Sequence, residues 1–217
     1  MKNCLCIILF ISMMMLFVPM ARCSDLPLDQ ILQKVEARFA GTGFSARFDQ
    51  VSTIKAMDIK DRAKGSLLVK RPGKMKWEYE TPEPQSIITD GINLWVYRPG
   101  ENQVMKGVAP EFFADGKGAS FLSDMRQIRK KFNISLSPDR NGRYVLKLLP
   151  IEKQYDIRHI LLEISKQTFD IDSIVTYNSY DDENRINLED YKHNLSPDDS
   201  NFNFIIPFGT DVLRLEE

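Results

Sequence analysis

Beyond residue 23 this chain has no cysteine. Cys4, Cys6 and Cys23 are its only three, so the rest of the chain has neither a disulfide framework nor a thiolate site. Histidine is nearly as scarce. His159 and His193 are the only two, and neither has a Cys, His or acidic neighbour at ligand spacing, so no metal site is expected. Gly-x-Ser-x-Gly, His-Glu-x-x-His and phosphate-loop patterns are all missing. With no nucleophile–base pair and no cofactor motif, the chain does not read as an enzyme, and no cofactor is expected. An excess of one charge is missing too: 29 basic residues stand against 30 acidic ones, a net charge of −1. That balance leaves no electrostatic footprint for nucleic acid. There is no internal repeat, no low-complexity run and no interdomain linker.

Only one hydrophobic run is long. It extends from Cys4 to Met20, broken by Ser12 and Pro19, and follows the single positive charge of Lys2. Ala21 and Cys23 put small residues at the −3 and −1 positions before Ser24. This reads as a secretory signal peptide over residues 1–23, leaving residues 24–217 as one domain with enough length for its own core. A competing reading makes Cys23 a lipidation site, although Arg22 stands where a small residue is wanted.

What the chain does have is alternation. Leu28, Ile31, Leu32, Val35 and Phe39 first mark an amphipathic helix, with Asp25 as its N-cap, Pro27 in its first turn and Gly41 at its end. Strand periodicity then predicts strands at about 44–55, 64–71, 74–80, 86–90, 92–98 and 102–106. Arg71-Pro72-Gly73, Asp90-Gly91 and Pro99-Gly100 supply the turns. Residues 107–131 break the pattern. Pro110 to Ala114 suggests a single helical turn, Asp115 to Gly118 a joint, and Ser120 the cap of a helix carrying Phe121, Leu122, Met125 and Ile128. Strands resume at about 132–137, 143–149, 157–165, 170–179, 184–192 and 202–206. One antiparallel sheet curling around its own helices is the α+β fold implied.

The segment from Lys70 to Pro99 carries the most information. Met75, Trp77 and Tyr79 share one face of a strand and Lys74, Lys76, Glu78 and Glu80 the other. Trp95 and Tyr97 follow on a strand that is apolar on both sides. The aromatics are either ordinary core or the wall of a ligand cavity. Phe112, Phe113, Phe121, Met125 and Ile128 of the insert enlarge the same apolar surface, and long aromatic and Met side chains pack adaptably. Arg71 continues the apolar face of Leu67 and Val69. There it either reaches water at the strand end, beside Pro72, or spends its five forked donors on backbone carbonyls at a helix C-terminus.

Lys70-Arg71-Pro72, Trp77, Thr81-Pro82-Glu83-Pro84-Gln85, Asp90-Gly91, Leu94-Trp95-Val96-Tyr97 and Pro99 together resemble the outer-membrane lipoprotein carrier family. A second resemblance ends the chain, in Phe202-x-Phe204-x-x-Pro207-x-Gly209-x-x-Val212. Residues 107–160 match only loosely. The resemblance implies an incomplete β-barrel of about 11 strands with helices packed as a lid over its open side. It implies a monomeric periplasmic carrier of acylated lipoproteins. Such a carrier would be loaded by an inner-membrane lipoprotein-releasing ABC transporter and unloaded by an outer-membrane acceptor. Leu67, Val69, Met75, Trp77, Tyr79, Trp95, Tyr97, Phe112, Phe121 and Met125 would line its lipid cavity, with Arg71 as the latch of the lid. Two alternatives stay open: a lipid- or glycolipid-binding or lipoprotein-sensing module of the same fold, and an anchored acceptor with Cys23 lipidated.

Overall fold

The computed structural model describes residues 26–109, 117–153 and 156–215. The proposed signal segment, Asp25, Phe112 and the turn expected at Pro110–Ala114 lie outside them. Helix α1 spans Leu28–Arg38 and buries Ile31, Leu32 and Val35, three positions of the expected stripe. Twelve strands follow: β1 Gly43–Ile54, β2 Ile59–Lys70, β3 Lys74–Thr81, β4 Gln85–Thr89, β5 Asn93–Arg98, β6 Gln103–Val108, β7 Phe132–Arg140, β8 Arg143–Pro150, β9 His159–Ser165, β10 Ile171–Tyr177, β11 Glu183–Leu195 and β12 Asp211–Arg214.

All twelve form one open sheet in the order β12-β6-β5-β4-β3-β2-β1-β11-β10-β9-β8-β7. It does not close into a barrel. Neighbours are antiparallel except β12, which runs parallel to β6. Chain order is kept within each half, so hairpins build β1–β6 and β7–β11. The two halves meet where β1 pairs with β11.

One expected strand and one expected helix are corrected. The strand predicted at 202–206 is absent: a 3-10 helix at Asp199–Phe202 leads into irregular chain. Phe204 and Ile206 alternate as a strand would, but they do so to pack on the sheet rather than to join its ladder. The real last strand, β12, has four residues, all exposed, so it carries no burial pattern that a sequence could show. The single helix expected after Ser120 is also divided. A 3-10 helix occupies Lys117–Ser123, and a short helix, α2, occupies Gln127–Lys131. Its apolar residues still find the core: Phe121, Leu122, Met125 and Ile128 are all buried.

The main core lies on one face of the sheet, here called the inner face. There α1 and the insert pack over β1–β3 and β7–β11. Burying this many Leu, Ile, Phe and Trp side chains, each worth about 1.5–3 kcal/mol, drives the chain to fold. Close backbone approach also shapes the sheet. A Cβ on Gly65 would stand 1.9 Å from the Glu78 carbonyl oxygen and 2.7 Å from the Phe48 ring. Only glycine lets β3 and Phe48 sit there together.

Candidate functional site

Arg71 follows the last residue of β2. Its backbone N–H donates to the Thr42 carbonyl at 2.7 Å, which fixes the strand end beside the segment leaving α1. Its guanidinium points across the inner face. Nη1 donates to the Gly41 carbonyl at 2.7 Å, and Nη2 donates to the Leu122 carbonyl at 3.0 Å. The cation also sits 5.5 Å from the centre of the Phe44 ring. One side chain thus joins three elements: β2, the short segment between α1 and β1, and the end of the insert's 3-10 turn. Burial lowers the Arg71 pKa and Asp124 opposes that shift, but a guanidinium stays charged. Both acceptors are neutral carbonyls, so these are charge-assisted hydrogen bonds and not a salt bridge.

Beneath this fork lies the apolar surface. Leu67, Val69, Met75, Trp77, Phe121 and Met125 are each at most 5% exposed and belong to one core. Trp77 meets Phe48 edge-on at 5.1 Å, and Tyr79 meets Phe48 at 4.9 Å. Tyr79 packs at the margin of that core, and its hydroxyl donates to Gln50 Oε1 at 3.1 Å. Burial pushes its phenol up to about 12, so it remains a neutral donor.

Trp95 and Tyr97 are not on this surface. Strand register sets Trp77 opposite Ile87, and Ile87 opposite Val96, so Val96 shares the Trp77 face. Trp95 and Tyr97 alternate with Val96 and point to the other side. There they form a second cluster with Ile88 and Val104, covered by Phe204 and Ile206. Ring centres lie 6.3 Å apart for Trp95–Phe204 and 5.2 Å for Tyr97–Phe204. The expectation that all four aromatics line one wall is therefore corrected by a half-period of the strand. Leu94 and Val96 are the β5 residues on the inner face. Phe112 lies outside the described residues.

Sequence reading missed a polar cluster beside the site. His193, expected near a loop, is within β11, and its Nε2 lies 2.7 Å from Asp170 Oδ1. Arg38, at the end of α1, donates to both oxygens of Asp170 at 2.7 and 3.0 Å. Burial lowers the His193 pKa, assisted by the charges of Arg38 and Arg71 and opposed by Asp170. The imidazole stacks on Tyr191 and on Phe44, the ring that also receives Arg71. These partners are 132 and 23 residues apart, and no local spacing brings them together. Among the described residues no group of His, Cys, Asp or Glu is placed to hold a metal ion, and no helix is long and apolar enough to cross a membrane.

Comparison with known proteins gives one consistent result. Residues 41–205 match the family described as outer membrane lipoprotein carrier protein LolA. The outer-membrane lipoprotein carrier protein of Methylobacillus flagellatus is 26% identical over 184 residues, 84% of this chain and 88% of its own. The protein of the same description from Nitrosomonas europaea is 28% identical over 173 residues, 79% of this chain and 82% of its own. Among solved structures, a LolA superfamily protein from Nitrosomonas europaea superposes with a TM-score of 0.50 at 17% identity, covering 83% of this chain and 99% of that one. An uncharacterized conserved protein from Thermus thermophilus reaches 0.55 at 13% identity, covering 86% and 98%. Those two likenesses establish the fold. The match over residues 41–205 goes further: this chain belongs to the outer membrane lipoprotein carrier family, LolA.

Proposed function

We propose that this protein is a periplasmic carrier of acylated lipoproteins. It would be exported by residues 1–23 and would act as the single domain 24–217. It takes acyl chains onto the inner face of its sheet, receives them from an inner-membrane ABC transporter and yields them to an outer-membrane acceptor. One observation carries this reading: a half-buried cation, Arg71, holds the segment after α1 and the insert together over an apolar surface, through two bonds to main-chain oxygens.

The energetics make a carrier necessary. An acyl chain of about fifteen methylenes leaves an apolar phase for water at a cost of roughly 12 kcal/mol, at about 0.8 per methylene. Unassisted crossing of an aqueous space is therefore very slow. The carrier must hold the chain and still release it. Phe121 and Met125 cover the same surface that an acyl chain would occupy, so lid and ligand compete. The closed population lowers apparent affinity in proportion, and the Arg71 bonds set that population. No step of this cycle requires a covalent reaction.

Purified protein is expected to bind an apolar fluorescent probe at one saturable site. An acylated peptide should displace it and the deacylated peptide should not. Equal displacement by both peptides contradicts the carrier reading.

A further inference from the structure

The inner face changes chemistry along its length. Successive inner positions of β1 run Ala46, Phe48, Gln50 and Ser52. Near Arg71 the face is apolar; at the far end it turns polar. The Tyr79 hydroxyl donates to Gln50 Oε1 at 3.1 Å. Gln50 Nε2 donates to Ser52 Oγ at 3.2 Å and to Asn184 Oδ1 at 2.9 Å. Ser52 Oγ donates to the same Asn184 oxygen at 3.0 Å. Four side chains from β1, β3 and β11 thus form one hydrogen-bonded rung across the inner face.

A cavity opens on each side of this rung. One, of about 310 Å³, is lined by Ser52, Ile54, Ile157, Thr176 and Asn184. The other, also about 310 Å³, is lined by Ala63, Tyr79, Gln85 and Arg98. Ile157 belongs to the main core, so the first cavity has an apolar floor and a polar wall, which also includes the carboxylates of Asp182 and Glu183. Asn184 Oδ1 is already taken by two donors, which leaves its two amide N–H groups as what that residue offers the cavity. A face that only buried hydrocarbon would gain nothing from such a rung, because polar groups on a half-buried surface are costly unless bonded.

We propose that this rung, through the amide N–H groups of Asn184, whose oxygen Gln50 and Ser52 hold in place, is the subsite for the polar junction of the ligand: the ester carbonyls by which fatty-acyl chains join glycerol. The tails take the apolar end of the face and the carbonyls accept hydrogen bonds at the polar end. This rests on the carrier reading and adds to it a recognised chemical class, acyl esters. It also gives the bound ligand a direction, with its head at the end of the face remote from Arg71.

A matched pair of synthetic ligands tests it. One is a diacylglyceryl-cysteine peptide with two ester links. The other is its dialkyl ether analogue, which has the same tails and no carbonyls. The parent protein should prefer the diester by roughly 3- to 10-fold, the range of one or two net hydrogen bonds. Gln50→Leu/Asn184→Leu should abolish that preference while binding the diether as tightly as the parent. Asn184→Leu alone should reduce it. Diether affinity in the same variants reports whether they fold. A parent that binds both ligands equally overturns the proposal and leaves the carrier reading standing, as does a double variant that keeps the preference. A parent that binds neither ligand overturns both.

Discussion

Arg71 and Leu122 are 51 residues apart in sequence, yet Nη2 of one donates to the carbonyl oxygen of the other at 3.0 Å. The contact joins the end of a sheet strand to the insert that covers the sheet. Its partner bond, to Gly41, joins the same strand to the link between α1 and β1. An arginine suits this position because its fork reaches two diverging carbonyls at once, and a lysine ammonium on a flexible stem cannot copy that geometry.

The insert should behave as a competitor for the apolar surface and not as ordinary core. Phe121→Ala is expected to lower unfolding stability by about 3–5 kcal/mol and to tighten binding of an acyl probe. Leu162, buried in β9, is a control: Leu162→Ala should cost about 2–5 kcal/mol without tightening. Denaturant unfolding and probe titration on the two variants check this. Equal probe affinity in both would remove the insert from the competition.

The second aromatic cluster should be structural alone. Trp95→Ala removes the side chain that Phe204 covers and should cost about 3–5 kcal/mol. Its acyl-probe affinity should match the parent's, whereas Trp77→Ala, on the inner face, should change it. A Trp95→Ala protein that loses acyl binding as Trp77→Ala does would place the outer face in the site.

His193 should make the fold sensitive to mild acid. Its folded pKa is lowered, mainly by burial, so the fold disfavours its charged form. Stability is therefore complete above the unfolded value near 6.5 and is lost as pH falls below it. Asp170 adds a second, lower window. Its pKa is also depressed, because bonds from Arg38 and Thr168 and the charge of His193 outweigh burial. Its contribution is present above the unfolded carboxylate value, near 3.9, and is lost on further acidification. His193→Phe, which keeps a ring between Tyr191 and Phe44, should flatten the profile between pH 7 and 5 and keep the part of the lower window that the Arg38 and Thr168 bonds supply. Melting temperatures across that range measure both, and an unchanged slope would contradict the assignment to His193.

Export can be read from mass alone. If residues 1–23 are removed, the mature protein begins at Ser24 and contains no cysteine. Intact-mass measurement on periplasmic material should give that species. A diacylglyceryl group on Cys23 in the membrane fraction would point to an anchored acceptor instead.

Much of this was legible in the residues. The amphipathic stripe of α1, the β1–β6 meander and the Asp90-Gly91 turn all carry local signals, and Asp90 Oδ1 does accept from the Ile92 and Asn93 N–H groups at 2.8 and 2.7 Å. Arg71 was legible too, because a charge on an apolar face needs acceptors. What stayed hidden depends on three-dimensional neighbours. Trp95 and Val96 are both apolar, so alternation could not say which one faces the main core; the pairing of β4 with β5 decides it. His193 and Asp170 meet only because β11 and β10 are adjacent. The short β12 has no pattern to read.

In the proposed cycle the Arg71 bonds hold the apolar surface closed. Transfer of a radiolabelled acylated lipoprotein from purified carrier to acceptor-bearing membranes tests this most directly, when run on the parent, Arg71→Leu and Arg71→Lys. Arg71→Leu keeps the apolar stem and loses both bonds. It is expected to lower the stability of the ligand-free protein by about 1–3 kcal/mol, to take up acyl ligand more tightly and to release it poorly. Arg71→Lys should fall between the two. Uptake and transfer equal to the parent in Arg71→Leu would contradict the account.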